Sequence, residues 1–448
     1  MSQHKSIFVL TVTTITLMGL PLAFSQTQTA SEISWESAVS QAERNNPEVH
    51  AAKENLRAAE AKKTAAYAGF LPNIRATLGY ETTERSSGLN SNSAESGWNA
   101  GVSGSLNLFS GFSDSSKLSQ AEADRQASEA SLQAARAKVS SDLKNAYEAV
   151  AYARDYSRLT SQILKRRSEN LRLVQLRFES GRENKGSVLL SEAYLEQAKY
   201  DDLQAINSRT TASASLMKLL GIDPDSGSVL PVLEVSGNVP LSDPPSAKPD
   251  MASLVLMTPD YVQAVQQTVS LEEARRIARA SFFPTLDLTS SIGKRGDDFF
   301  PDGPTTQALG ISLSIPLFTG GRNVNQYRAA AANASASAFT RENTIREIRR
   351  KLEQSWSSYI ESVARLRMDD SFRKAAVVRS EVARTKYNNG LLSFEDWDII
   401  ENDLINRQKS VLQTRRERTS AEAAWELAQG IGVFQNTSFS KTPQGVSQ

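Results

Sequence analysis

The chain contains no cysteine in 448 residues. That excludes a disulfide framework, thiolate chemistry and an acylated N-terminal cysteine. Histidine is nearly absent as well, with only His4 and His50, which leaves little for a transition-metal site. Neither sign of charge dominates: 51 Lys and Arg against 50 Asp and Glu give a formal net charge of +1. A nucleic-acid partner is therefore not called for, and no acidic tail is present. Aromatic residues make up 7% and apolar residues 40%, little for a thick globular core but sufficient for long, narrow, water-exposed helices. The one long apolar run, Ile7 to Leu22, follows Lys5 and precedes Ala23-Phe24-Ser25. It reads as a signal peptide over residues 1–25. Beyond it nothing reaches the roughly 18 consecutive apolar residues of a spanning helix, so a membrane form of the mature chain has to be a β-barrel. Walker loops, zinc-ligand spacings and nucleophile elbows are missing, and with them any catalytic constellation or cofactor site.

What the chain does have, it has twice. Asn46-Pro47-Glu48-Val49 opens a helical stretch ending at Gly69-Phe70-Leu71-Pro72, and Thr258-Pro259-Asp260-Tyr261 opens one ending at Ser281-Phe282-Phe283-Pro284. Leu108-Phe109-Ser110-Gly111 matches Leu317-Phe318-Thr319-Gly320. Arg177-Phe178-Glu179-Ser180-Gly181 matches Lys386-Tyr387-Asn388-Asn389-Gly390, and Gly221-Ile222 matches Gly430-Ile431. The last three correspondences share one offset. An internal tandem repeat follows, with repeat 1 over 47–221 and repeat 2 over 259–430. Around the repeats lie an N-terminal segment 26–46, a proline-rich linker 222–258 expected to be non-helical, and a flexible tail 431–448.

Each repeat starts with a helix, 47–70 or 259–283, bounded by prolines. The period then changes to two. Ile74, Ala76, Leu78 and Tyr80 alternate with Arg75, Thr77, Gly79 and Glu81; Leu309, Ile311, Leu313, Ile315 and Leu317 alternate with Gly310, Ser312 and Ser314. These stretches predict hairpins over 73–109, with a loop at 86–97, and 285–318, built from strands of about ten residues. One face is apolar and the other small or polar, as in a lipid-facing barrel with a wet lumen; a hairpin packed on a soluble core gives the same alternation. Proline-free helices of roughly 68 residues follow, 112–180 and 321–389, each about 100 Å long. Leu132, Val139 and Ala146, with Leu143 and Val150, and then Ile345, Leu352, Tyr359 and Leu366 recur at seven-residue spacing, a supercoiling period. The chain turns at Gly181 and Gly390 and returns in helices about half as long, 187–220 and 393–429. A return helix and an entry helix stacked end to end match one long helix. Four strands leave two open edges, which a membrane does not tolerate; at least two copies, and three or more for an open lumen, are needed to close a barrel.

In this order and duplication, the helix-to-strand junctions, the Leu-Phe-Ser/Thr-Gly strand exits and the two glycine tips resemble the TolC family of outer-membrane efflux proteins over essentially the whole mature chain. The resemblance implies an all-α periplasmic coiled-coil tunnel plus a transmembrane β-barrel, with twelve strands completed by a homotrimer in the outer-membrane lipid. It implies docking on a periplasmic adaptor protein and an inner-membrane pump or ABC exporter, for efflux or type I secretion. It also implies that the tips, with Phe178, Gly181, Arg182, Asn388, Asn389, Gly390, Leu391 and Leu392, meet the adaptor and form the periplasmic entrance. Asp396 stands where the family's first entrance aspartate falls, beside Glu395 and Asp398, while Ile399 replaces its usual companion. Tyr387 occupies the latching aromatic position, Leu392 replaces the latching arginine, and Ser187 stands where an acidic partner is expected. Acids in a first helical turn are also favoured by the helix dipole alone, and Trp397 reads as inter-helical packing. Two other architectures share some of these features: a periplasmic adaptor, which carries one hairpin between β-rich domains, and a soluble coiled-coil scaffold without a barrel.

Overall fold

The longest helices set the scale of the molecule. In a computed structural model that describes residues 32–87, 91–223 and 232–434, α3 (Ser113–Glu179) and α7 (Arg322–Asn388) each hold 67 residues, about 100 Å at 1.5 Å per residue. Bonds of the i,i+3 and i,i+4 kind, such as Arg125 to Glu122 and Glu129 and Arg350 to Glu347, line their solvated faces. The return helices α4 (Lys185–Leu220) and α8 (Phe394–Gln429) hold 36 residues each. All four bounds of the second pair are those of the first moved by 209 positions, Ser113 to Arg322 and Leu220 to Gln429. The entry helices are α2 (Pro47–Ala66), continued by a 3-10 turn at Tyr67–Phe70, and α6 (Pro259–Ala280). Both place proline in the first turn, where its missing N–H is not needed. Asn46 caps α2 by accepting from Glu48 N and Val49 N, and Thr258 caps α6 through Tyr261 N.

The short helices stack end to end. Asn46 Nδ2 donates to Leu219 O over 2.9 Å, joining the start of α2 to the end of α4. At the matching joint a Cβ on Gly430 would lie 2.0 Å from the Pro259 ring. Each stack flanks a long helix, and the backbone neighbours give four rods in one layer: the α2/α4 stack, α3, the α6/α8 stack, α7. The seven-residue positions Leu132, Val139, Leu143, Ala146 and Val150 of α3 are buried in this layer, as are Leu352 and Tyr359 of α7. Ile345 packs at the edge of that second cluster and Leu366 is half-buried.

Above the rods lies one antiparallel sheet in the order β2 (Asn73–Ser87), β3 (Ser91–Phe109), β5 (Thr285–Gly296), β6 (Thr306–Ser314). The rows of one face run Thr77, Gly101, Gly293, Thr306 and Arg75, Ser103, Ser291, Ala308, while rows such as Leu288, Ile311 make the other face apolar. That apolar face is exposed along Ile74, Leu78, Val102, Ile292, Leu309, Ile311 and Leu313. Strand lengths differ from the expected ten. The first hairpin pairs as far as Ser87 with Ser91, so the expected loop 86–97 is mostly strand: Ser, Asn and Gly supply backbone ladder groups as well as apolar residues do. In the second, Pro316 cannot donate to a ladder, and β6 ends at Ser314 rather than near 318.

The linker departs most from expectation. It holds a helix, α5 (Met251–Met257), because Asp250 accepts from Ala252 N and Ser253 N and supplies an N-cap right after Pro249. Val235–Ser236 (β4) pairs in parallel with Ile33–Ser34 (β1), just before α1 (Trp35–Asn45). The Tyr147 hydroxyl lies 2.9 and 2.8 Å from the carbonyls of Ile33 and Ser236, and Glu148 and Glu422 accept from Val239 N and Ser242 N. A strap thus crosses α3 and α8 at mid-height. The tail is not loose where it begins: Val433 N donates to Ser140 Oγ, and Phe434 is buried beside Val139. The expected signal peptide and residues 435–448 lie outside the described residues.

Gly430 has a left-handed φ of 72° besides the Pro259 contact. Gly430→Ala is expected to cost about 2–4 kcal/mol, combining backbone strain and overpacking at the joint. A thermal melt of the variant beside Gly104→Ala, where a Cβ meets open space, checks this; equal melting temperatures would contradict the stacked joint.

Candidate gate at the helical tips

Both long helices end in the same way. Gly181 and Gly390 take φ of 70° and 74°, letting Arg182 N and Leu391 N turn back onto the carbonyls of Arg177 and Lys386, a Schellman-type stop that favours glycine. The return helices begin with side-chain caps, Asn184 for α4 and Ser393 for α8. Phe178, Arg182, Asn388, Asn389 and Leu391 are exposed around the two turns. Leu392 instead packs on an apolar cluster of Val174, Ala383, Tyr387, Phe394 and Trp397.

Tyr387 is the centre of that cluster. Its ring stacks on Trp397 at 4.3 Å with planes 7° apart, and the Arg177 guanidinium covers its other side at 4.5 Å. Arg177 Nη1 also donates to Tyr387 O over 2.7 Å, tying α3 to α7. The Tyr387 hydroxyl donates to Glu183 Oε2 over 3.0 Å. Burial, followed by this carboxylate, pushes the phenol well above its ordinary pKa, so it remains a donor. The acidic partner is therefore Glu183. Ser187, at the position expected to hold it, donates its hydroxyl to Glu183 Oε1 over 3.0 Å. The four-residue difference is one helical turn: Glu183 lies in the turn before α4 and reaches where a first-turn side chain would. A sequence signal existed in the acid beside the Asn184 cap, but the spacing did not mark it.

The three acids of α8 divide. Glu395 and Asp396 are exposed, and Asp396 is held to the Ser393 cap, whose Oγ accepts from Asp396 N at 3.1 Å and donates to its carboxylate at 2.9 Å. Asp398 turns inward. It accepts from Tyr194 OH (3.2 Å) and Asn402 Nδ2 (2.9 Å) and lies 3.7 Å from Arg167 Nη1. Burial raises its carboxyl, against the pull of Arg167. One turn further, Glu401 takes two bonds from Arg166 (2.6 and 2.8 Å) and one from Ser380 Oγ (2.7 Å). For Glu401 burial works upward too, but the Arg166 bond and charge outweigh it and hold the carboxyl below its ordinary value. Tyr194, Arg166 and Arg167, Ser380, and Asp398 with Glu401 come from α4, α3, α7 and α8, so one polar clamp touches all four helices within about 20 Å of the tips. No spacing in the sequence pairs these residues, because their contacts span up to 235 positions.

With this geometry in place, the comparisons with known proteins can be stated. The family model described as outer membrane efflux protein matches residues 38–222 and 255–431, one match per repeat. The chain belongs to that family. It is similar to the alkaline protease secretion protein AprF of Pseudomonas aeruginosa, 24% identical over 281 residues, which is 62% of this chain and 56% of that protein. It is also similar to outer membrane protein OprJ of Pseudomonas aeruginosa, 25% identical over 271 residues, 59% of this chain and 55% of OprJ. The matched stretch is thus little more than half of either relative. Among solved structures, the outer membrane protein VceC from Vibrio cholerae superposes with a TM-score of 0.76 at 20% identity, covering 89% of this chain and 96% of that one. That likeness establishes the shared fold.

Glu401→Gln leaves the Arg166 guanidinium without a charged partner and is expected to destabilise the helical part by about 2–3 kcal/mol. Because the Glu401 carboxyl is held below its ordinary value, the stability it contributes is complete at neutral pH and disappears as pH falls through that lowered value. Denaturant unfolding at neutral and acid pH checks both: the gap between wild type and Glu401→Gln should narrow on acidification, and a constant gap would contradict the pairing.

Proposed function

We propose that this chain is one of three identical subunits of an outer-membrane export duct, with the sheet in the outer membrane and the helices in the periplasm. The observation that carries the reading is a mismatch between the repeats. Ile163 of α3 is buried against Ile405 of α8; its counterpart 209 positions on, Phe372 of α7, is 49% exposed. The face that α3 uses to hold the second repeat is half open on α7, where the Arg407 guanidinium of α8 lies over Phe372, 4.7 Å from the ring centroid. Met368, Val378 and Val382 extend that half-open face, and Tyr200, Leu203 and Ile206 are exposed on α4 at the opposite edge of the layer. Pairing the α7 edge of one copy with the α2/α4 edge of the next repeats the internal interface, and a head-to-tail contact of this kind closes into a ring. The same operation joins β6 to the β2 of the next copy. Three copies make twelve strands around a bore lined by the small inward rows, and membership of the efflux family supports that count.

In this duct the tips form the periplasmic entrance. Tyr387, braced by Arg177 and Trp397, holds the hairpin α7/α8 to α3/α4 through Glu183. The exposed Glu395 and Asp396, repeated in three copies, ring the opening and concentrate cations. Asp398 serves behind them as part of the clamp. The exposed turn residues Phe178, Arg182, Asn388, Asn389 and Leu391 offer the surface for a periplasmic adaptor, which couples the duct to an inner-membrane pump or ABC exporter. Similarity to a protein named for protease secretion favours export among the uses of such a duct. The repeats act as the two structural units, and residues 232–258 as the mid-height strap between them.

Single-channel recording in planar bilayers, with mass measurement of the detergent-solubilised oligomer, tests the reading. A trimer with small cation-preferring currents is expected. Glu183→Gln and Tyr387→Phe should raise the open fraction by roughly tenfold, the effect of losing about 1.4 kcal/mol of charge-assisted bonding, and Asp396→Asn should lower cation preference. A monomer without conductance would contradict the duct; unchanged gating in both latch variants would contradict the role of Tyr387 and Glu183.

A further inference from the structure

Behind the tips, two buried polar groups lack a hydrogen-bond partner among the described residues: the Trp397 indole Nε1 of α8 and the Asn170 Oδ1 of α3. The side chains are 2% and 5% exposed, so bulk water does not serve them. A buried donor or acceptor left unmet costs about 1–3 kcal/mol, and native interiors rarely keep one. The Trp397 ring is fixed by its stack on Tyr387 and by Phe394, which meets it at 6.2 Å. The direction of its N–H is therefore set by the aromatic cluster, and the ring is not free to seek another acceptor.

Both residues line one small cavity inside the polar clamp, together with Arg167, Ser191, Tyr194 and Asp398. Its volume is about 10 Å³, close to the space one water molecule requires. The walls exclude an ion: Arg167 repels a cation, and Asp398 with the adjacent Glu401 repels an anion. Most wall groups already have partners. Tyr194 OH donates to Asp398 Oδ2 and accepts from Asn402, Ser191 Oγ donates to Ser187 O, and Arg167 Nη2 donates to Asn402 Oδ1. Arg167 Nη1 and Asp398 Oδ1 face each other at 3.7 Å, longer than a hydrogen bond and a separation that water commonly bridges. Burial pushes the Arg167 guanidinium down and the Asp398 carboxyl up from their ordinary values, as expected for charges short of hydrogen bonds. Two donors and two acceptors thus remain around the cavity. A water molecule, which accepts two hydrogen bonds and donates two, complements that set.

We propose that one water molecule is built into the clamp, accepting from Trp397 Nε1 and Arg167 Nη1 and donating to Asn170 Oδ1 and Asp398 Oδ1. It ties α8 to α3 and joins the aromatic stack at the tips to the clamp behind it. Trp397 then holds Tyr387 by its face and Arg167, through the water, by its edge. Duplication does not account for the site. The positions related to Trp397, Asp398, Arg167 and Asn170 by 209 residues hold Val188, Leu189, Ala376 and Arg379, which do not repeat the donor and acceptor set. The inference rests on the clamp and is independent of barrel closure.

A crystal structure of the full-length protein in detergent, at a resolution that shows ordered water, is the first test. Density is expected within about 3.2 Å of both Trp397 Nε1 and Asn170 Oδ1. An empty cavity, or a water bonded to one of the two and not the other, overturns the proposal. Denaturant unfolding supplies the second test. With a bridging water, Asn170→Leu deprives it of an acceptor and should lower the folded-to-unfolded ratio roughly tenfold. In a dry cavity the same change removes an unmet group, and the ratio should hold or rise. Trp397→Phe keeps an aromatic ring against Tyr387 and removes the N–H, at a packing cost in either case. It is read through coupling: Asn170→Leu should cost several-fold less in the Trp397→Phe background than in wild type. An equal cost in both backgrounds, or no loss from Asn170→Leu alone, overturns the bridge. The wild-type density decides the matter even if a variant fails to fold.

Discussion

Edge strands with an apolar face are the constraint on which the rest of the structure depends. β2 and β6 end the four-stranded sheet, and their outer N–H and C=O groups have no ladder partner among the described residues. In hydrocarbon each unmet backbone group costs several kcal/mol, and the exposed Ile74, Leu78, Leu309, Ile311 and Leu313 make water an equally poor surrounding for the sheet. Closure of the sheet, as proposed above, would satisfy both. The rods below obey the same demand: their layer has two free flanks, and the half-exposed Phe372 stands where its counterpart Ile163 is buried. The proposed ring operation would close both.

The duplicated chain makes such closure economical in information. Repeat 1 meets repeat 2 through α3 and the α6/α8 stack, and a neighbouring copy needs only to present the matching surface. The departures from repeat symmetry are then the informative positions. Phe112 stands where the second repeat has Gly321, the linker strap crosses the rods at mid-height, and the hydrogen bond at the tips joins Tyr387 of one hairpin to Glu183 of the other. Below the strap, the helices are held by a polar clamp and an aromatic stack rather than a continuous apolar seam. Polar contacts of this kind can exchange for water, which an apolar core cannot do.

Much of the architecture was legible because it is written in periods. The matched glycines, the seven-residue spacing of Leu132, Val139 and Ala146, and the alternation from Leu309 to Leu317 each report local geometry, and duplication made every one of them count twice. Features set by distant or non-periodic contacts were not legible. Helix α5 depends on a single cap at Asp250 inside a proline-rich stretch, and β1 with β4 joins two residues to two others across about two hundred positions. Glu183 acts from a turn, where the helical period no longer says which way a side chain points. Asp398 looked like its neighbours Glu395 and Asp396 in sequence, yet the 100° step per residue carries it to the inward face, against Arg167.

Cross-linking of the edge strands tests closure most directly. The natural chain has no cysteine, so cysteines placed one in β2 and one in β6, stepped along the two strands, can bond only to each other. A disulfide needs Cα atoms within about 7 Å, which an antiparallel β6–β2 pair between copies supplies at one register. The account predicts a covalent ladder in membranes of one, two and three chains that stops at three, for one set of positions and its alternate-residue neighbours. No cross-linking at any register, or a ladder that stops at two or runs past three, would contradict it.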